Sequence, residues 1–549
     1  MIYFAARKHN ACPRLQNQPL NRPRPEKPRA CFQRGDRKCL AHRARPVKTR
    51  RMNIPQNIIH ERKKKNRKYD SRTMKKNANK PEKPASAASC TPDASAQTLP
   101  GFTHSRAQFE EWVDAAMRHA RKLGASDVAA DISESAGLSV SARLGELEAV
   151  EHNRDTSLNV TVYIGHKSGS ASTCDFSPQA VRQTVQAAYD IARHITEDPA
   201  GALPDEADVA GPQAASLDLD LFHPWNPSVE QALALALACE QAALQTSPHI
   251  SNSEGASVSA QQSHFFSAHS HGFRGGYASS RHSLSVSVIA GQGEAMQRDG
   301  WFSAERNAAR LARPEAVGRY AAERALSRVG ARKISTRECP VLFEAPLAAG
   351  LLGHFVQAVS GGALYRKNTF LADSLGQPVF AGHVEITENP FIPGGRGSAP
   401  FDGEGVRVTP RQVVQAGRVA GYFLGSYSAR KLGMKTTGNA GGSHNLRLYS
   451  RQTGAQDDLP AMLQKLGTGL FVTELMGSGV NYVTGDYSRG ASGYWVENGQ
   501  IAYPVQEVTI AGNLREMFLN LQAIGADAYT YGAKTSGSVL IARMKVAGS

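Results

Sequence analysis

The sequence predicts a multi-domain α+β protein: an N-terminal α/β part, a mixed middle part and a β-rich C-terminal part built on hairpins. Three observations predict it. The 549 residues leave room for about three domains of ordinary size. Two helix starts of capping-box type, Ser105 with Gln108 and Ser228 with Gln231, each precede an apolar stripe at helical spacing. Late in the chain, Tyr494-Trp495-Val496 and Ile501-Ala502-Tyr503 flank Glu497-Asn498-Gly499-Gln500. Asn-Gly between apolar runs marks a hairpin, because both central residues of a type I′ turn need positive φ.

Taken in order, residues 1–100 come first, rich in Arg, Lys, Pro, Asn and Ser and poor in large apolar side chains. Such a stretch buries too little surface to offset its ordering entropy and is read as a disordered basic tail. The first domain spans 101–203. Phe109, Trp112, Val113, Ala116, Ala120 and Leu123 form one helix stripe, stopped at Gly124. Strand-like runs follow near 138–143, 157–163 and 168–174, then a helix over 178–194 carrying Val181, Val185, Ala188 and Ala192. A linker with Pro204, Gly211 and Pro212 leads to the middle domain, 217–330. Its first helix presents Leu233, Leu237 and Leu244, a strand covers 284–288, and a helix over 314–328 closes it. The last domain, 334–549, opens with a strand at 340–343 and a helix at 346–360 bearing Leu351, Leu352, Phe355 and Val359. Hairpins complete the chain, and no repeat of solenoid period is visible.

Charge is divided unevenly. Residues 1–100 hold 26 Lys+Arg against 6 Asp+Glu, a net of +20, so the remaining 449 residues, with 38 against 42, carry −4. The high pI belongs to the tail, and the body is not a general nucleic-acid or membrane surface. Glu61–Lys68 is the stretch suited to nonspecific phosphate contact. Four of the seven cysteines (Cys12, Cys31, Cys39, Cys90) fall in the tail. Cys174, Cys239 and Cys339 are too scattered for a disulfide framework, which fits a reducing, cytoplasmic setting. No apolar run reaches the roughly 18 residues of a spanning helix, and the short start Met1–Ala6 is no signal-peptide core.

Candidate metal ligands are few. Cys39 and His42 have a ligand-like spacing with no second pair. His264, His269 and His271 lack an acidic or thiolate companion and are read as surface histidines of a sheet, with His269 and His271 on one face. Two glycine-rich loops, 394–405 and 436–445, carry Arg396, Asp402, Glu404, His444 and Asn445, and the terminal hairpins carry Arg489. Glycine lets backbone approach a ligand closely. These six residues are candidates to contact an extended peptide or a partner chain, weighed evenly against turn glycines with satisfied charges. Neither loop is followed by Gly-Lys-Ser/Thr, so neither cradles phosphate, and no Gly-x-Ser-x-Gly elbow exposes a serine nucleophile.

The run TGDYSRGASGYWVENGQIAYPVQEVTIAGNL, residues 484–514, closely resembles the PmbA (TldE) branch of the TldD/PmbA family of bacterial peptidases, once described as modulators of DNA gyrase. The resemblance extends over roughly residues 125–548. In the TldD branch it implies a His-Glu-x-x-x-His zinc motif on the helix matching 346–360, completed by a late cysteine. There the metal polarises the scissile carbonyl and acidifies a water, and the glutamate takes the proton. Here His354 stands at the first ligand, Phe355 at the base and Val359 at the second histidine, and no cysteine follows Cys339. The expectation is therefore no catalytic residue, no metal and no cofactor on this chain, with His354 a structural histidine. The resemblance implies a metallopeptidase subunit acting with a TldD-type partner that carries the zinc, on unfolded or nicked peptides. The alternative is a nonenzymatic binding protein of the gyrase-modulator kind.

Overall fold

The computed structural model describes residues 97–548. The readings made for the tail, with Cys12, Cys31, Cys39, His42, Cys90 and Glu61–Lys68, lie outside the described residues.

α1 (Arg106–Lys122) starts at the expected capping box: Ser105 Oγ accepts from the Gln108 amide at 3.3 Å, and Gln108 Oε1 from the Ser105 amide at 2.8 Å. Its buried stripe is Phe109, Val113, Ala116, Met117 and Ala120. β1 (Asp127–Arg143), β2 (Glu146–Ile164) and β3 (Lys167–Thr173) follow as a meander, then α2 (Pro178–His194), capped by Ser177. α3 (Val229–Leu244) again starts on its box, Ser228 with Gln231. Its buried positions are Ala232, Ala236, Cys239, Glu240 and Ala243, while Leu233, Leu237 and Leu244 lie partly buried along the flank. β4 (Ile250–His269), β5 (Arg274–Gly275), β6 (Ala278–Ala290), β7 (Gln297–Glu305) and α4 (Pro314–Ser327) complete this half.

These strands make one seven-stranded antiparallel sheet, β3-β2-β1-β4-β6-β7, with β5 on β4. β1 pairs with β4 from Ala129↔His269 to Ala142↔Ala256, so the first and middle segments share one layer. α1 and α2 cover one stretch of it around Ile132, Val160 and Phe266, and α3 and α4 another around Val140, Val258 and Val286.

The C-terminal half begins with β8 (Arg337–Phe343), α5 (Ala345–Ala358) and α6 (Gly361–Tyr365). Then come β9 (Val384–Asn389), β10 (Arg411–Gln415), β11 (Arg418–Val419), α7 (Ser426–Lys431), β12 (Asn445–Ser450) and α8 (Leu459–Leu466). The chain finishes with β13 (Gly469–Val480), β14 (Asp486–Glu497), β15 (Gln500–Asn513), α9 (Leu514–Leu519), β16 (Leu521–Ile524), β17 (Tyr529–Tyr531), β18 (Lys534–Ser536) and β19 (Val539–Ala547). One sheet runs β11-β10-β9-β12-β18-β17. The other runs β15-β14-β13-β8-β19-β16, and β15 also pairs with β19, closing β15, β14, β13, β8 and β19 into a ring. The predicted β14–β15 turn is present, with Asn498 at φ 50° and Gly499 at φ 74°. Between the sheets lies a core that includes Phe343, Leu352, Phe355, Val359, Phe380, Tyr487 and Phe518.

The two halves are joined through the predicted linker. Val209 bridges to Val406, the Ala210 amide donates to the Gly405 carbonyl at 2.9 Å, and Arg430 donates to the Ala202 carbonyl at 2.9 Å. Ala210 and Ala215 pack against Phe273 and Phe401. An ionic cluster makes a second junction: Arg324 of α4 meets Glu344 at 2.8 Å and Asp299 at 3.2 Å.

Candidate functional site

α5 is the helix on which the resemblance places a metal motif. Phe355 and Val359 are fully buried, Phe355 edge-on to Phe380 at 5.1 Å and near Phe518 at 6.4 Å. His354 Nδ1 and the Tyr482 hydroxyl form a hydrogen bond of 2.8 Å. Burial, and after it the positive charge of Arg489, push the His354 pKa down to about 4, so the ring is neutral. Tyr487 stands edge-on at 5.8 Å, its pKa pushed up to about 12 by burial. Arg489 donates from Nε to the Met476 carbonyl at 3.2 Å. Thus Arg489, one of the six candidates, belongs with His354, Tyr482 and Tyr487. Sequence reasoning missed Tyr482 and Tyr487, which lie about 130 residues down the chain with no local pattern tying them to α5. Among the described residues no group of three or more His, Cys, Asp or Glu is arranged to hold a metal ion.

Four other candidates meet where the two glycine loops cross. Asp402, buried, accepts from the amides of Glu404, Val406 and Ala440, each at 2.9 Å. Burial and the neighbouring Glu404 charge outweigh these donors and raise its pKa to about 7. Glu404 accepts from the Ser426 amide at 2.9 Å, holding the first turn of α7 to the loop. His444 is buried with Nε2 facing the Gly438 carbonyl at 3.0 Å and Nδ1 the Gly397 carbonyl at 3.2 Å. Asn445 accepts from the Gly397 amide at 2.8 Å and donates to the Asn389 carbonyl at 2.9 Å and Ser398 Oγ at 2.7 Å. Beneath them Glu388, which the sequence did not single out, accepts from Arg411 Nε at 2.6 Å, Asn439 Nδ2 at 2.9 Å and the His444 amide at 2.7 Å. These side chains are occupied in bracing the loops, whose exposed positions include Gly403, Gly441 and Gly442. Gly405 shows why glycine is needed: its φ is +76°, and a Cβ there would sit 2.5 Å from the Phe273 ring.

Arg396 stands apart, donating to the Ala304 carbonyl at the end of β7. The structure therefore splits the six candidates into three places rather than one.

The histidines of the first sheet correct a sequence expectation. His264 and His269 are buried, not surface residues, and His271 lies in the turn after β4 rather than on a strand face. β4 alternates buried and half-buried positions from Ala256 to Ala268, and His264 falls on the buried side, while His269 at the strand's end is covered by Phe273, which packs on Phe401. His264 stacks on Phe109 at 4.4 Å and stands 3.5 Å from Glu134. Glu134 is fully buried yet accepts from the amides of Thr103 at 2.8 Å and His104 at 3.0 Å. These and further hydrogen bonds overcome the effect of burial and lower its pKa. Neither ring nitrogen of His269 makes a well-aligned hydrogen bond, although the Glu404 backbone lies near enough to favour the charged ring slightly. Burial, then His271's charge, push its pKa down to about 4.

Comparison with known proteins agrees with the geometry. Residues 128–192, 222–329 and 336–548 match, in turn, domain 1, the central domain and the C-terminal domain of the PmbA/TldA metallopeptidases. The chain is 47% identical over 441 residues to metalloprotease PmbA of Escherichia coli O157:H7, covering 80% of this chain and 96% of that protein. It is 44% identical over 442 residues to a metalloprotease PmbA homolog of Haemophilus influenzae, covering 80% and 96%. In three dimensions it is similar to TldE from Thermococcus kodakarensis, with a TM-score of 0.66 over 80% of this chain and 100% of that one. At 18% identity that likeness is one of fold. No helix among the described residues is long and apolar enough to cross a membrane. The chain belongs to the PmbA/TldD metallopeptidase family.

Proposed function

We propose that this chain is the PmbA/TldE-type subunit of a cytoplasmic metallopeptidase that cleaves unfolded or modified peptide precursors, with the zinc held by a TldD-type partner. One observation supports the reading above the others. At the positions where the resemblance places the general base and the second histidine, Phe355 and Val359 are locked in the core, and the remaining His354 is committed to Tyr482. A phenyl ring accepts no proton, and one imidazole is far short of the three or four ligands that zinc takes in proteins. The residues of α5 do not fit the metal.

What this chain supplies instead is rigid shape. The loops braced by Asp402, Glu388, His444 and Asn445 hold backbone edges at the surface, where an extended peptide can be gripped without regard to its sequence. Reconstitution tests the reading. The chain alone leaves a fluorogenic unfolded peptide intact, and adding a TldD-type chain that carries His-Glu-x-x-x-His starts cleavage. Cleavage by the lone chain would reject it.

A further inference from the structure

Along the outer strand of the first sheet, where it faces the β17–β18 hairpin, the structure gathers cations and aromatic rings. Arg281 lies in β6, Arg306 follows β7, and Arg396 reaches from the first glycine loop to the Ala304 carbonyl. The charge of Arg281 acts on both Arg306 and Arg396, which places the three guanidinium groups within electrostatic range of one another. Arg306 is fixed on main-chain carbonyls, donating to Gly395 at 3.1 Å and to Ser280 at 3.3 Å. Glu305 is the carboxylate whose charge reaches Arg396, so cations outnumber acids here. Arg281 is exposed and hydrogen-bonded to none of the described residues.

Aromatic side chains stand at the adjoining sheet edge, Trp301 on the core-facing side of β7 and Phe302 on the other. Trp301 packs on Tyr320 at 4.7 Å and on Tyr529 at 5.8 Å, and Phe302 meets Tyr531 at 5.8 Å. Tyr531 remains 52% exposed. The contacts of Trp301 with Tyr320 and of Phe302 with Tyr531 are edge-on, at 80° and 86°. Residues 101–549 carry −4, which does not favour a nucleic-acid backbone at this surface. Planar guanidinium forks beside apolar ring edges suit a carboxylate carried on a polypeptide.

We propose that this surface binds an acidic peptide segment, its carboxylates on Arg281 and Arg396 and its chain against Phe302, Tyr529 and Tyr531. The proposal adds a substrate chemistry to the peptidase reading and rests on that reading only for calling the peptide a substrate. Binding itself is a property of this chain without partner or metal, so it fails or stands separately from cleavage.

The test uses the full chain and a benzophenone-bearing peptide of alternating Glu and Ala, with a Gln-for-Glu version as comparison. Crosslinks mapped by mass spectrometry are expected on β7 and the β17–β18 hairpin, with the Gln version weaker by about tenfold, the worth of one charge-assisted contact. Arg281→Ala and Tyr531→Ala, both at exposed side chains, are expected to reduce those crosslinks while leaving the circular dichroism unchanged. Crosslinks confined to the basic first 100 residues, equal capture of both peptides, or indifference to Arg281→Ala would each overturn the proposal. So would displacement of the peptide by oligo-dT more effectively than by free acidic peptide, or its displacement by millimolar inorganic phosphate alone.

Discussion

Replacing Glu388 by Gln probes the brace between the two glycine loops with almost no change of shape. Glu388 is 2% exposed and serves three donors: Arg411 Nε at 2.6 Å, Asn439 Nδ2 at 2.9 Å and the His444 amide at 2.7 Å. In the variant, Oε1 still accepts from Asn439 and His444, but the new amide nitrogen faces Arg411 donor to donor. Arg411, whose side chain is 16% exposed, then loses its buried counter-charge. Leaving one partner of a buried pair unmatched costs about 3–5 kcal/mol. Arg411 keeps its bond to Asn439 Oδ1 at 3.0 Å, so the lower figure, about 3 kcal/mol, is the expectation. Amide hydrogen exchange reads this locally: protection across residues 436–445 should fall by about a hundredfold, since about 1.4 kcal/mol is tenfold. Adding Arg411→Met removes the stranded charge and should recover much of the loss. Protection within about threefold of wild type in Glu388→Gln would refute the claim that this carboxylate holds the loops together.

Three further outcomes follow from the same geometry. Asp402 has a folded pKa of about 7, above the ordinary carboxylate value, so the folded state holds its proton more tightly than the unfolded chain. Its contribution to stability is present at pH 4 and is lost as pH rises to about 7. His269 acts in the opposite direction over part of that range, so the readout is the difference in urea stability between wild type and Asp402→Asn, which should fall steadily from pH 4 to pH 7. His269 is shifted the opposite way, to about 4 against an unfolded value near 6.5, so stability rises with pH between those values. His269→Leu, which removes two poorly partnered buried nitrogens, should flatten that slope and raise the urea midpoint at pH 5. Gly405→Ala forces a left-handed φ and a Cβ into the Phe273 ring, and should cost about 2 kcal/mol or more in urea unfolding, with Gly403→Ala, where φ is ordinary and the nearest atom lies 3.1 Å away, costing less.

Local chemistry was legible in the sequence, and long-range closure was not. Ser105 with Gln108, Ser228 with Gln231 and Asn498-Gly499 each announce their own element, because the atoms they need lie within four residues. The pairing of β1 with β4 joins residues more than a hundred positions apart, and nothing in either strand names the other. The ring of β8, β13, β14, β15 and β19 escaped for the same reason, although Pro340–Phe343 was readable as a strand. The buried α3 stripe was obscured because leucine marks apolar faces more loudly than alanine, yet the small residues are the ones in contact. At the candidate site the loops were visible through their glycines. Their brace on Glu388 was not, since a glutamate on a strand ordinarily signals solvent.

The central claim is that α5 of this chain does not hold the catalytic metal of its family. Elemental analysis of the purified full chain, dialysed against micromolar zinc, tests it most directly, with the His354→Ala variant beside it. The account predicts that any zinc retained is the same in the two proteins, as expected if it sits elsewhere. One zinc per chain in wild type, lost in His354→Ala, would contradict it.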